Sequence, residues 1–265
     1  MDGALVFAGY AAVLFVVCMA GAYLPQIRQL NDSQKHLLIA ITAGIFVGLL
    51  FWLFIPESFE LSVEHGGFDF HDVCIAIVAG FLVISLIDVI IKHHHMAACP
   101  CELHEDEHSH EMVSISAFIG LSIHACCDGL ALAAATMGGE TLGVVALSGM
   151  CLHKFVETFS LSSSLLLTDE DSRTKWMYLT GFSLITPIMG MVFYLFLNGL
   201  DVEGISGMPM AFAAGTFMFV TFCNLLPEAY HRKGQDLKTF VYIVIGVAIA
   251  AGVMTLVNMM GGHSH

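Results

Sequence analysis

The sequence predicts an all-α polytopic membrane protein: eight transmembrane helices with an inverted-repeat organisation around spans four and five. Three observations predict it. The chain is 57% hydrophobic and 12% charged, with a mean hydropathy of +0.81, too apolar for a soluble domain. Eight apolar segments follow one another along the 265 residues, each near the ~20 residues that cross a bilayer core. A short motif in the second segment returns in the seventh, which runs in the opposite direction.

The segments cover residues 4–24, 37–55, 73–92, 113–137, 141–167, 174–199, 206–230 and 238–260. No basic stretch precedes the first, so it reads as a span and not as a cleavable signal peptide. The basic residues segregate. Arg28 and Lys35 fall in connection one, Lys92 in three, Arg173 and Lys175 in five, and Arg232, Lys233 and Lys238 in seven. The even connections and the termini have none, which puts the odd connections in the cytoplasm and both termini outside. Lys154, inside span five, is left over.

The repeated motif is AGIFVGLLFWLFIPE at 43–57 and AGTFMFVTFCNLLPE at 214–228, with six identities in fifteen positions. Inverted repeats are a recurring plan of secondary transporters; chance similarity between membrane helices is the alternative. In span six, Pro187 follows Thr186 and removes a backbone donor, which either frees carbonyl oxygens to line a path or only kinks the helix. Asp88, toward the inner end of span three, snorkels or caps and is given no transport role.

Spans four and five carry the chemistry. Span four reads GLSIHACCDGLALAAAT, with His124 and Asp128; span five reads LSGMCLHKFVETFSLSSSLL, with His153 and Glu157. Residues four apart share a helix face, so each span presents an imidazole beside a carboxylate. Both pairs fall near the bilayer midplane, where ionisable groups are expensive and face a bundle interior or a polar cavity. One such pair reads equally well as an interhelical hydrogen bond or part of a proton relay. Two pairs at matching depth on consecutive spans describe a cation site, and the mixed N/O set suits tetrahedral zinc.

Connection three, KHHHMAACPCELHEDEHSHE, differs from everything around it. It offers His93, His94, His95, His104, His108 and His110, the Cys99-Pro-Cys101 pair, and carboxylates including Glu111. Its spacing matches no structural zinc module, so residues 93–112 read as a His/Cys/acid-rich cytoplasmic loop that collects metal, or as a solvated acidic linker. The other six cysteines (18, 74, 126, 127, 151 and 223) lie in apolar runs as small packing residues. Connection two is acidic through Glu57, Glu60, Glu64, Asp69 and Asp72. The net charge of −14 sits mainly in loops, and nine Lys and Arg in all make no surface for nucleic acid.

These residues resemble the ZIP family of Zrt/Irt-like divalent metal transporters. The resemblance is carried by HACCDG in span four, HKFVE in span five, LITPIMG in span six, AAGTFMFVTFCNLLPE in span seven and AGIFVG…PE in span two. It covers essentially the whole chain, 1–265, as one transmembrane domain. It implies a transporter moving zinc, and sometimes iron, manganese or cadmium, into the cytoplasm, in members that are often homodimers. Carried over, the ligands are His124, Asp128, His153 and Glu157. The chain departs from many relatives at Ala125, where they have Asn or Ser. It departs from binuclear relatives at Lys154, where they have a metal-binding carboxylate, and at Thr186, where others have a glutamate. The resemblance therefore implies a single ion, with Lys154 as counter-charge.

The expected function is zinc import through the midplane site by alternating access. No GxxxxGK[ST] motif occurs, so transport is secondary or facilitated. Zinc is the cargo and no cofactor is expected. The lipid bilayer is the surrounding partner, and the plasma membrane is the expected location. An intramembrane zinc enzyme and a metal-sensing receptor are the competing readings of the same four side chains.

Overall fold

The computed structural model describes residues 3–27, 31–98, 105–137, 139–168, 170–197, 207–230 and 236–260. Among the described residues there are helices and no strands. Span one is α1 (Gly3–Tyr23). Span two is α2 (Asp32–Leu49) and α3 (Ile55–Phe59), joined without a break through a π-turn at Leu50–Phe54. Spans three to six are α4 (Phe70–Ala98), α5 (Glu105–Met137), α6 (Glu140–Leu165) and α7 (Ser172–Leu197). Span seven is α8 (Gly207–Phe219) and α9 (Leu226–Tyr230) around a π-turn at Val220–Leu225, and span eight is α10 (Asp236–Met260).

Among the described residues, seven of these spans are long and apolar enough to cross a membrane. The fifth span, α6, is rich in polar side chains. Besides His153, Lys154 and Glu157 it carries Thr158, Ser160, Ser162, Ser163 and Ser164, all of them buried. It packs on α1, α2, α5 and α7, so its polar side chains face protein. The outer surface is apolar, with Leu5, Val16, Ile75, Leu82, Leu86, Leu237 and Phe240 exposed, as a lipid solvent requires. The chain is an integral, multi-pass membrane protein.

The helix pairings carry the inverted repeat. Exchanging span one with six, two with seven, three with eight and four with five maps the contact of α2 with α10 onto that of α8 with α4. The same exchange maps α1 with α6 onto α7 with α5. Glycines fix the register. A Cβ on Gly44 would overlap the carbonyl oxygen of Ile243, and one on Gly246 that of Ile41. In the other half, a Cβ on Gly215 would overlap the carbonyl oxygen of Ile77, and one on Gly80 that of Phe212. Only hydrogen at these positions lets the backbones approach so closely. The equivalent phenylalanines of the repeated motif, Phe46 and Phe217, stack on each other with centroids 4.4 Å apart. In each motif copy a π-turn ends one residue before the Pro-Glu.

Local signals set the helix ends. Asn31 and Gln34 form a capping box at α2, satisfying two of the orphan donors of the first turn. Gly139, at φ +138°, makes the turn from α5 into α6 that other residues would enter only with strain. Residues 93–112, expected as a loop, are helical on both flanks: α4 runs on to Ala98 and α5 begins at Glu105. Cys99, Cys101 and His104 lie outside the described residues. Asp88 is buried and pairs with Lys92 at 2.6 Å. The six described cysteines are all free thiols.

Candidate metal centre

The turn between α5 and α6 sets the depth of the centre. His124 stands thirteen residues before Met137, the end of α5, and His153 thirteen residues after Glu140, the start of α6. At 1.5 Å per residue both imidazoles sit about 20 Å from the turn, on antiparallel neighbours. Asp128 and Glu157, each four residues on from its histidine, turn toward the same space.

The structure brings all four together. One ligand atom from each of His124, Asp128, His153 and Glu157 lies within 4.8 Å of the others, and all four residues are buried. His124 Nε2 is 3.1 Å from Glu157 Oε1 and 3.4 Å from Asp128 Oδ2, and His153 Nε2 is 3.6 Å from Asp128 Oδ2. Tetrahedral zinc with bonds of about 2.0–2.1 Å places its ligands roughly 3.3 Å apart, so these separations need little contraction. His124 has its Nδ1 3.2 Å from the carbonyl oxygen of Ala213. A proton on Nδ1 donated to that carbonyl leaves Nε2 as a lone pair aimed at two carboxylates. That arrangement is repulsive when empty and favourable around a cation, and the carbonyl behind the ring is the usual way a ligating histidine is oriented.

Lys154 completes the charge pattern. Its Nζ lies 2.5 Å from both Asp128 Oδ2 and Glu157 Oε2, and its ammonium stands 5.6 Å from the Phe182 ring centroid. Lysine at 1% exposure is tolerable only when paired this closely; the aromatic face adds a further attraction. Two carboxylates and one ammonium together carry one net negative charge, where the carboxylates alone would carry two.

Aromatic rings wall the centre. Phe54 stands edge-on to His124 at 4.7 Å, to His153 at 5.3 Å and to Phe217 at 4.7 Å; Phe217 lies 5.0 Å from His124. Both rings come from the repeated motif, Phe54 out of the π-turn of the first copy and Phe217 just before the π-turn of the second. Packing of this kind holds imidazoles in orientation and keeps water away. Sequence reasoning missed Phe54, Phe217, Phe182 and the Ala213 carbonyl, because each reaches the centre across the bundle; the motif's phenylalanines were the available signal. Thr186 donates from its hydroxyl to the carbonyl oxygen of Ala125 at 3.0 Å. A Cβ on Gly129 would meet the nitrogen of Gly190 at 2.7 Å and the Thr186 oxygen at 3.0 Å. The Thr186-Pro187 step thus serves close packing of α7 on α5.

Comparison with known proteins gives a consistent picture. The family model for ZIP zinc transporters matches residues 92–254, from the end of span three into span eight. The chain is 26% identical to zinc transporter ZIP9-A of Xenopus laevis over 95% of this chain and 96% of that protein. It is 26% identical to ZIP9-B of the same organism over 84% and 86%. To zinc transporter ZIP9 of Macaca fascicularis it is 37% identical, over 42% of this chain and 49% of the relative.

Proposed function

This chain belongs to the ZIP zinc transporter family, and we propose that it carries zinc into the cytoplasm by exposing the His124–Asp128–His153–Glu157 centre alternately to the two sides of the membrane. The observation that supports this most is the convergence of four buried ligand atoms within 4.8 Å at the meeting of spans four and five. Asp128 and Glu157 supply the charge that draws a dication from water into a low-dielectric centre, and the imidazoles complete the set with neutral donors.

Lys154 shapes the cycle. In the empty carrier its ammonium occupies both carboxylates; an arriving ion takes those oxygens over while Lys154 swings back toward Phe182. When the ion leaves, the ammonium returns, so the carrier resets without two bare carboxylates in its interior. The same ammonium limits the centre to one ion. The movement is a relative shift of the two repeat halves, which meet at the Phe46–Phe217 stack. Basic connections on one side support cytoplasmic odd connections and outer termini, in a plasma-membrane protein of one domain whose residues 93–112 regulate it from the cytoplasm. Burial of the centre behind Phe54 favours an ion-sized cargo over an enzyme's substrate.

Zinc uptake into proteoliposomes tests the proposal. Saturable uptake is expected in the parent and is expected to be lost in His124→Ala, Asp128→Ala and Glu157→Gln at equal incorporation. Normal uptake with two of these three replaced would refute the assignment.

A further inference from the structure

Among the described residues, the hydroxyls on α6 divide into those with a structural partner and one without. Thr158 donates to the Lys154 carbonyl oxygen at 2.9 Å, Ser163 to that of Phe159 at 2.7 Å, and Ser162 to that of Ala22 on α1 at 2.7 Å. Ser164 also has a partner. Ser160 is 1% exposed, yet its Oγ has none. A hydroxyl in a membrane helix ordinarily bonds back to its own backbone, and one buried without a bond carries a free-energy cost. At 100° per residue, His153, Glu157, Ser160 and Ser164 fall within a stripe roughly 60° wide. Ser160 therefore continues the metal-facing edge of α6, about 4.5 Å along the axis beyond Glu157. It lies toward Leu165, the end of α6 that the basic connections assign to the cytoplasm.

We propose that Ser160 is the next protein oxygen the ion meets as it leaves the midplane centre for the cytoplasm. This rests on the transport reading above and adds a residue to it. The chemistry fits release: a neutral hydroxyl holds a partly hydrated dication far more weakly than two carboxylates do, so it steadies the ion on departure without trapping it. Ser160 touches cargo only in transit, so it governs the rate of release and leaves equilibrium occupancy of the centre alone.

The test uses the full chain in proteoliposomes with zinc and cadmium as cargo. The transport reading is checked separately in the same vesicles by loss of uptake in Glu157→Gln. Ser160→Ala should lower the maximal zinc rate about five-fold, the worth of one neutral polar contact, with half-saturating zinc unchanged. Ser160→Thr, which keeps the hydroxyl, should stay within about two-fold. Ser160→Cys places a soft ligand on the path and should raise the cadmium-to-zinc rate ratio at least about three-fold, while Ser160→Ala leaves that ratio alone. A structural role would not move the ratio. Full zinc rate in Ser160→Ala, or an unchanged ratio in Ser160→Cys, would overturn the proposal while leaving the midplane centre standing.

Discussion

Replacing Lys154 by Met removes the charge and keeps most of the side-chain bulk. Its Nζ lies 2.5 Å from one oxygen each of Asp128 and Glu157, so an ion bound by those carboxylates at about 2 Å sits roughly 4 Å from the ammonium. One charge against two at that distance, with an effective dielectric of 20, repels by about 8 kcal/mol. The flexible stem lets the ammonium retreat toward Phe182 and relieves most of this. If about 3 kcal/mol survives, removal of the charge tightens zinc binding by roughly a hundred-fold. The metal-free protein suffers the opposite effect, because two buried carboxylates lose their partner at about 3–5 kcal/mol. Lys154→Met should therefore melt well below the parent in chelator, recover most of the difference in saturating zinc, bind zinc more tightly and release it more slowly. Melting of detergent-solubilised protein with and without zinc, and competition against a chromophoric chelator, measure both halves. A variant that melts with the parent in chelator and binds zinc with unchanged affinity would refute the counter-charge argument.

His153 has the longest contact of the four, 3.6 Å to Asp128, and His153→Gln should keep a measurable part of zinc uptake where Glu157→Gln keeps none. A Gly/Ser linker in place of residues 93–110 should leave initial zinc uptake within a few-fold of the parent and weaken metal-dependent control, read from uptake after zinc preloading. Gly215→Leu should drive α8 off the Ile77 carbonyl and destabilise the protein by more than about 3 kcal/mol, beyond the usual range for overpacking. Gly9→Leu, with open space at its Cβ, should melt with the parent.

Much of the fold was legible because lipid makes the code simple: spans are apolar and about twenty residues long, and basic loops mark one side. The four converging side chains were legible because a helix places i and i+4 on one face, and a two-residue turn puts His124 and His153 at one depth. Lys154 stood out as the one basic residue deep inside a span. The aromatic wall was not legible, since Phe54 and Phe217 reach the imidazoles from spans far along the chain. The glycine contacts of Gly80 and Gly246 were hidden for the same reason. Their partners in the repeated motif, Gly44 and Gly215, were visible, but a close backbone approach has two sides and the motif shows one. The helical flanks of connection three were missed because its histidines and carboxylates look like loop composition, although α4 and α5 continue into it beyond their apolar stretches.

The most direct measurement is X-ray absorption of zinc bound to the full-depth centre, made on protein whose residues 93–110 have been replaced by a Gly/Ser linker. One zinc per chain is predicted, with first-sphere scatterers at about 2.0–2.1 Å, nitrogen and oxygen only, and the outer-shell pattern of two imidazoles. Two zinc ions per chain, or a sulfur scatterer at about 2.3 Å from a thiol such as Cys127, would contradict the account.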